Sequence, residues 1–441
     1  MKTSLIRLSI LVMILTLVLS ACSESESAKP KATFDEVTTS TTGPNFGKEP
    51  KVAPGFDGST ISLGVITPLS GLPGFLGNAI TDGAQTYWDA KNETGGVAGK
   101  YKVELKKEDS SKNGTYDKTL SINAYDKLSK EVVAFQSVLG SDVVLSLKDK
   151  QIEDSMLIAP ATLSGSWVKN PLVLPITNPY QTQAINGIQY FVDNFEGSNP
   201  KICTLALDDS FGDDGVKGVE FAVDKLKTVI TSQQQFTTNS PISSQVDSLI
   251  NDDCNAVVVV ATAVDVGGIV GAFAQKNADI TLIGLSPLWI PEANLRMTGE
   301  ARTYAQEHLW IVSAGAKWGD TTTPGMAKML NDIAAHNDDQ ESNPFFLYGY
   351  SQAWAMDLVL EQAAKNGDLS SKGVLRALSN VGTFDFQGLL PAYEFGPNTK
   401  TRVVPNANTI FKYDSKDPSK LVPVADDAVD FASEFSKDYE Y

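Results

Sequence analysis

Histidine and cysteine are scarce in this chain. His308 and His336 are its only two histidines, and Cys22, Cys203 and Cys254 its three cysteines, among 441 residues. No pairing of these residues falls at metal-ligand spacing, and a histidine general base has little material to work with. No Gly-x-Ser-x-Gly elbow occurs. The acidic pairs Asp208-Asp209 and Asp213-Asp214 suit solvated or capping loops better than a catalytic pair. The expectation is a protein that is not an enzyme and needs no metal and no cofactor. Basic side chains are the minority, 36 against 53 acidic, for a net charge of −17. Such a surface repels phosphate backbones, which excludes nucleic acid as a partner. Gly71-x-x-Gly74-x-x-Gly77 follows an apolar run, but its spacing is not that of a dinucleotide loop.

The chain does contain one apolar run near its start. Lys2 and Arg7 precede Leu8–Leu19, which is too short for a membrane span of about 20 residues and has the shape of an export signal. Leu19-Ser20-Ala21-Cys22 resembles a bacterial lipoprotein processing site, which would cut after residue 21 and place a lipid on Cys22. Residues 22–58 are Ser-, Thr- and Pro-rich without hydrophobic period, and read as a flexible tether. The remaining 383 residues (59–441) suffice for two domains with full cores. Outside the cytosol two leftover cysteines suggest a disulfide. Cys203 opens one apolar run and Cys254 precedes another, so adjacent parallel strands would bring them together.

From residue 59 short apolar runs alternate with helical patterns. Strands are expected at Ile61–Thr67, Lys102–Lys107, Val132–Val138 and Leu157–Ala159, with helices over Asn78–Asn92, Thr115–Lys130 and Asp142–Ser155. A second series starts after Pro179, with strands at Ile202–Leu207, Gln233–Thr237, Ala256–Ala261 and Thr281–Gly284. Its helices cover Gln181–Asn194, Asp214–Leu226, Ser243–Asn251 and Val266–Lys276. A further long helix spans Tyr348–Ala364. This is an α/β chain of two doubly wound parallel-sheet units. Ligands of such sheets bind beyond the carboxyl ends of the strands.

The stretch from Leu63 carries Pro68-x-Ser70-Gly71, Gly77, Gly83-Ala84, Asn92-x-x-Gly95-Gly96-x-x-Gly99 and Asp109 in order. It resembles the opening of the leucine/isoleucine/valine-type periplasmic binding proteins of ABC transporters. The likeness continues through Asp208–Gly212 and Tyr348-Gly349-Tyr350. It implies the type I periplasmic binding protein fold, two lobes joined by a three-strand hinge with crossings near Asn178–Gln181, Ser313–Lys317 and Phe384–Gln387. Lobe one is then 59–179 plus 316–384 and lobe two 180–315 plus 386–425, with 426–441 as a C-terminal tail. The implied protein is an exported, membrane-attached monomer that closes on a small-molecule ligand and delivers it to an ABC permease. A ligand sensor on the same fold is the alternative.

The resemblance also implies a site. Gly140 and Ser141 match the loop that holds an amino acid's carboxylate, with Ser70 in the loop after the first strand. Asp142 either caps its helix or meets the ligand ammonium. Thr162 or Ser164, flanking Leu163, supplies a second hydroxyl. Phe211 covers the ligand or packs under its own loop. Thr262, Asp265 and Trp289 follow strand ends, and Tyr348 walls the cleft. Ser286 stands where leucine-type binders carry an acid for the α-ammonium. Either Asp142 or Asp265 replaces that acid, or the ligand is no α-amino acid. An apolar amino acid is the first expectation, and a small carboxylate or amide the second.

Overall fold

The computed structural model describes residues 46–71, 74–112, 115–291, 297, 299–417, 419–424 and 428–434. The export signal, Cys22 and the tether up to residue 45 lie outside them. No described helix is long and apolar enough to cross a membrane.

The first series gives β1 (Thr60–Thr67), α1 (Gly74–Glu93), β2 (Lys102–Asp109), β3 (Ser111–Lys112), β4 (Thr115–Tyr116), α2 (Lys118–Leu128), β5 (Ala134–Val138), α3 (Ser141–Ser146), α4 (Lys148–Asp154) and β6 (Leu157–Pro160). Strands β2-β1-β5-β6 form an all-parallel sheet. β1 and β5 are apolar runs buried almost end to end, as central parallel strands must be. β2 is rich in lysine and glutamate and buries only Val103 fully, which suits an edge. Residues 115–130, expected as one helix, begin as strand β4. The helix starts only after Asp117, whose carboxylate accepts from Leu120 N at 2.8 Å. The helix expected over 142–155 is broken at Leu147, next to Ser146, whose hydroxyl donates back to Val143 O at 2.6 Å.

The second series gives α5 (Tyr180–Asp193), β7 (Lys201–Leu207), α6 (Ser210–Leu226), β8 (Val229–Phe236), α7 (Ser243–Asn251), β9 (Ala256–Val260), α8 (Val266–Gln275), β10 (Thr281–Leu285), α9 (Gly299–His308) and β11 (Leu309–Ser313). α6 begins four residues before the expected Asp214, because Asp209 caps it by accepting from Gly212 N at 2.9 Å. The chain then returns to the first lobe as α10 (Pro324–His336), α11 (Pro344–Lys365), α12 (Ser371–Ala377) and the hairpin β12 (Gly382–Phe384) and β13 (Tyr393–Phe395). It ends in the second lobe as β14 (Thr409–Tyr413), β15 (Leu421–Pro423) and α13 (Phe431–Glu434). The second sheet has the order β15-β14-β11-β10-β9-β7-β8. β14 and β15 are its antiparallel edge. Part of the expected C-terminal tail is docked: Ala432 N donates to Asn186 Oδ1 at 2.9 Å.

The third passage between lobes falls later than Phe384–Gln387. Leu389, Leu390, Tyr393 and Phe395 are buried in the first lobe's core. Arg402 Nη1 still donates to that lobe, to Asn170 O at 2.7 Å. Asn406 O and Ala407 O already accept from Asn186 and Asn178 at 2.6 and 2.7 Å. The hairpin β12–β13 was hidden from the sequence reading because both strands are three residues long, too short to show a period.

Two helices of the first lobe touch backbone to backbone. A β-carbon on Gly83 of α1 would stand 2.1 Å from Phe346 O, and one on Gly349 of α11 would stand 1.9 Å from Ile80 O. Beside this crossing Asp357 accepts from Tyr87 Oη at 2.7 Å and from Lys91 Nζ at 2.8 Å. Burial raises the Asp357 carboxyl above its ordinary range despite Lys91 and Tyr87. The native state therefore holds this proton more tightly than the unfolded chain, and the group's contribution declines as pH rises from the ordinary carboxylate range through the raised native value. Asp357→Asn should cost about 1–2 kcal/mol, with the gap to wild type shrinking over that pH window. Urea midpoints across pH for both proteins check this.

Candidate functional site

The strand tips of both lobes converge on one cavity of about 130 Å³. β6 runs into Ala161 and Leu163, β10 into Ser286, Pro287 and Trp289, and β11 ends at Ser313; all of these line it. The β11 crossing continues along the wall through Ala314, Gly315, Ala316, Lys317 and Trp318. Tyr180 and Gln183 enter from the first turn of α5, and Phe345, Leu347 and Tyr348 from the start of α11. The cavity thus lies at the carboxyl ends of the parallel strands, where open α/β sheets place ligands.

Hydrogen bonds fix these walls. Gln183 Oε1 accepts from Ser286 N at 2.9 Å, and its Nε2 donates to Asn178 O at 3.3 Å, so one side chain ties the β10 tip to the first crossing. Tyr348 Oη donates to Pro160 O at 2.7 Å, and Gln352 Nε2 to the same oxygen at 3.0 Å. Burial pushes the Tyr348 phenol well above its ordinary range, so it stays a neutral donor. Ala316 N donates to Leu389 O at 3.0 Å, holding the second crossing against the first lobe.

The lining is mostly aromatic and aliphatic. Among the described residues Lys317 is its only charged side chain, and it carries no aspartate or glutamate. Lys317 Nζ donates to Asp417 Oδ2 at 2.9 Å. Burial pushes the Asp417 carboxyl up, but bonds from Ser419 and Lys317 outweigh it and leave it below its ordinary range.

Of the residues singled out from the sequence, Leu163, Ser286, Trp289 and Tyr348 line this cavity; the others do not. Gly140 sits under the ring of Tyr116, which would stand 2.8 Å from a β-carbon there, and Ser141 is buried as the first residue of α3. Asp142 lies in the first turn of α3. Its charge and that of Asp209 add to burial in raising the Tyr116 phenol. Thr162 accepts from Trp167 Nε1 at 3.2 Å, and Ser164 caps the turn Gly165–Trp167 by accepting from Ser166 N at 3.2 Å. Phe211 is buried against Tyr180, ring centroids 4.5 Å apart. Ser70 is exposed and pairs with Ser111 through Ser70 O at 2.8 Å. Thr262 Oγ1 donates to Asp265 Oδ2 at 3.3 Å, and Asp265 also accepts from Asn239 N at 2.9 Å. The ring of Tyr116 thus lies over Gly140, and the Thr162 hydroxyl is engaged by Trp167. Tyr180, Gln183, Ser313, Lys317, Trp318 and Phe345 were not among the site residues expected from the sequence. The signal for three of them was present, since Asn178–Gln181 and Ser313–Lys317 were read as crossings and a crossing borders the cleft.

Cys203 and Cys254 are joined in a disulfide, Cα atoms 5.9 Å apart, where β7 and β9 run side by side in parallel. Neither histidine lines the cavity: His308 stacks on Tyr304 at 4.4 Å, and His336 lies 3.6 Å from Glu93. Among the described residues no three His, Cys, Asp or Glu side chains could hold a metal together.

The periplasmic binding protein family profile matches residues 60–417, and the chain belongs to that family. Its members bind solutes outside the cytoplasm for ABC transporters and are not enzymes. Three solved structures share the fold. A fatty acid ABC transporter substrate-binding protein from Thermomonospora curvata is 24% identical, with a TM-score of 0.78 over 90% of this chain and 98% of that one. A branched chain amino acid ABC transporter protein from Thermus thermophilus with bound valine is 14% identical, with a TM-score of 0.71 over 87% and 99%. A solute-binding protein from R. palustris in complex with benzoate is 15% identical, with a TM-score of 0.65 over 82% and 95%. No curated protein sequence matches the chain.

Proposed function

We propose that this protein is the lipid-anchored receptor of an ABC importer, and that its ligand is a small, mainly apolar molecule rather than an α-amino acid. The observation that carries this reading is the cavity wall. It holds no carboxylate, and the position where leucine-type binders have an acid is Ser286. Burying a ligand ammonium without a counter-charge costs several kcal/mol. The two stand-ins weighed from the sequence, Asp142 and Asp265, are both outside the lining. A cavity near 150 Å³ with such walls takes a benzene-sized group, close to the 130 Å³ found here. Leu163, Ser286, Trp289 and Tyr348 are then ligand contacts, joined by Tyr180, Trp318 and Phe345. Lobe closure around that ligand creates the surface the permease recognises. The basic start, the short apolar run and Leu19-Ser20-Ala21-Cys22 support export and lipid attachment at Cys22.

A thermal-shift series tests the ligand class. Six-carbon rings and short chains with one polar end, at about 100 times their dissociation constant, should stabilise the protein by roughly 2.7 kcal/mol. Leucine and valine should leave its unfolding unchanged. Stabilisation by leucine or valine alone would overturn the reading.

A further inference from the structure

Two serines on the cavity wall follow a paired position of adjacent strands. In the parallel ladder of β10 and β11, Leu285 pairs with Val312. The residues that follow are Ser313, the last of β11, and Ser286, which opens the short 3-10 turn Ser286–Leu288 after β10. Both line the cavity. The Ser286 N–H is taken by Gln183, and the Ser313 carbonyl accepts from Asn408 Nδ2 at 3.3 Å. Neither hydroxyl has a hydrogen-bond partner among the described residues, and neither is a buried, water-inaccessible atom. Elsewhere around the cavity Gln183 bridges two loops, Tyr348 Oη binds Pro160 O, and Thr177 Oγ1 donates to Asn178 Oδ1 at 2.9 Å, whereas the indole N–H of Trp289 is buried without a partner among the described residues and is a further donor on this wall.

Four residues beyond Ser313 comes Lys317, on the same crossing and the same wall. Its side chain is 39% exposed, so it stands at the rim rather than in the apolar part. An ammonium has three donors, and only the one to Asp417 is used among the described residues. A half-exposed ion pair of this kind contributes little by itself, so sharing the ammonium with a second carboxylate forfeits little.

Resting on the reading that the ligand is apolar, we propose that its polar end is a carboxylate, received by the hydroxyls of Ser313 and Ser286 and by Lys317. The arrangement offers donors converging from one strand edge and one positive charge, with no carboxylate facing inward to repel an acid. A hydroxyl ligand would satisfy the serines but leave the lysine unused. An ammonium would meet Lys317 at close range. The ligand class is therefore a monocarboxylic acid whose body is a six-membered ring or a short chain.

Calorimetric titration of matched probes tests this: benzoate against benzyl alcohol, and hexanoate against 1-hexanol. At least one acid should bind ten-fold or more tightly than its alcohol, the usual weight of a charge-assisted hydrogen bond. Ser313→Ala should weaken the acid about ten-fold and the alcohol by a smaller factor, since a charge-assisted hydrogen bond is stronger than a neutral one. Lys317→Met should remove the preference for the acid while leaving alcohol binding in place, which also shows that the variant is folded. Equal affinity of acid and alcohol for the unaltered protein would overturn the head-group assignment and leave the apolar reading standing. Binding of leucine, with none of the four probes bound, would overturn both.

Discussion

Replacing Cys203 and Cys254 together by alanine is expected to lower the free energy of unfolding by about 4 kcal/mol. The disulfide closes a loop of 51 residues, and the chain-entropy model gives roughly that value for a loop of this length. Both cysteines are buried in the core of the second lobe, between β7 and β9. The loop contains α6, β8 and α7, so the cross-link restricts a large part of that lobe in the unfolded ensemble. A urea unfolding series on the double variant, with the unaltered protein in reductant as its companion, measures the loss. The two should agree, and a change below about 1 kcal/mol would show that the bridge contributes nothing to stability.

Gly349→Ala should destabilise the protein by about 3 kcal/mol. On helix propensity alone the same change would stabilise by about 1 kcal/mol, so the sign of the result is the test. The added carbon would lie 1.9 Å from the carbonyl oxygen of Ile80, a backbone atom that no rotamer change can move. α1 and α11 must separate, and overpacking of this kind costs about 1–3 kcal/mol or more. Gly271→Ala in α8 is the control, because nothing lies within 4 Å of its added carbon; that variant should gain the propensity increment. Gly349→Ala should weaken ligand binding too, since Ile80, Leu347 and Tyr348 at the crossing also form the cavity wall.

The central parallel strands were readable as apolar runs with no alternation, as β9 shows in Ala256–Val260, buried throughout. Helices with a period and a cap were readable to within a few residues. The edges of the fold were less so. β14 and β15 join their sheet from the far end of the chain, and no local pattern reports a partner that distant. The site was half legible. Ser286 was noticed because a neutral residue stood where the resemblance implied an acid, and it does line the cavity. Tyr116 was missed, because its ring covers Gly140 through a two-strand turn too short to be seen in sequence.

The lobes are interleaved along the chain. The third strand of the seven-stranded second sheet, β11, pairs on one side with β14, which the chain reaches only at Thr409. The first lobe has all four strands of its parallel sheet by Pro160 but waits for α11, ending at Lys365, to cover one face. During synthesis neither core can close until most of the polypeptide has emerged, and contacts of such long sequence separation form slowly. A precursor slow to collapse stays threadable, which fits the export proposed from the basic start and short apolar run of the chain.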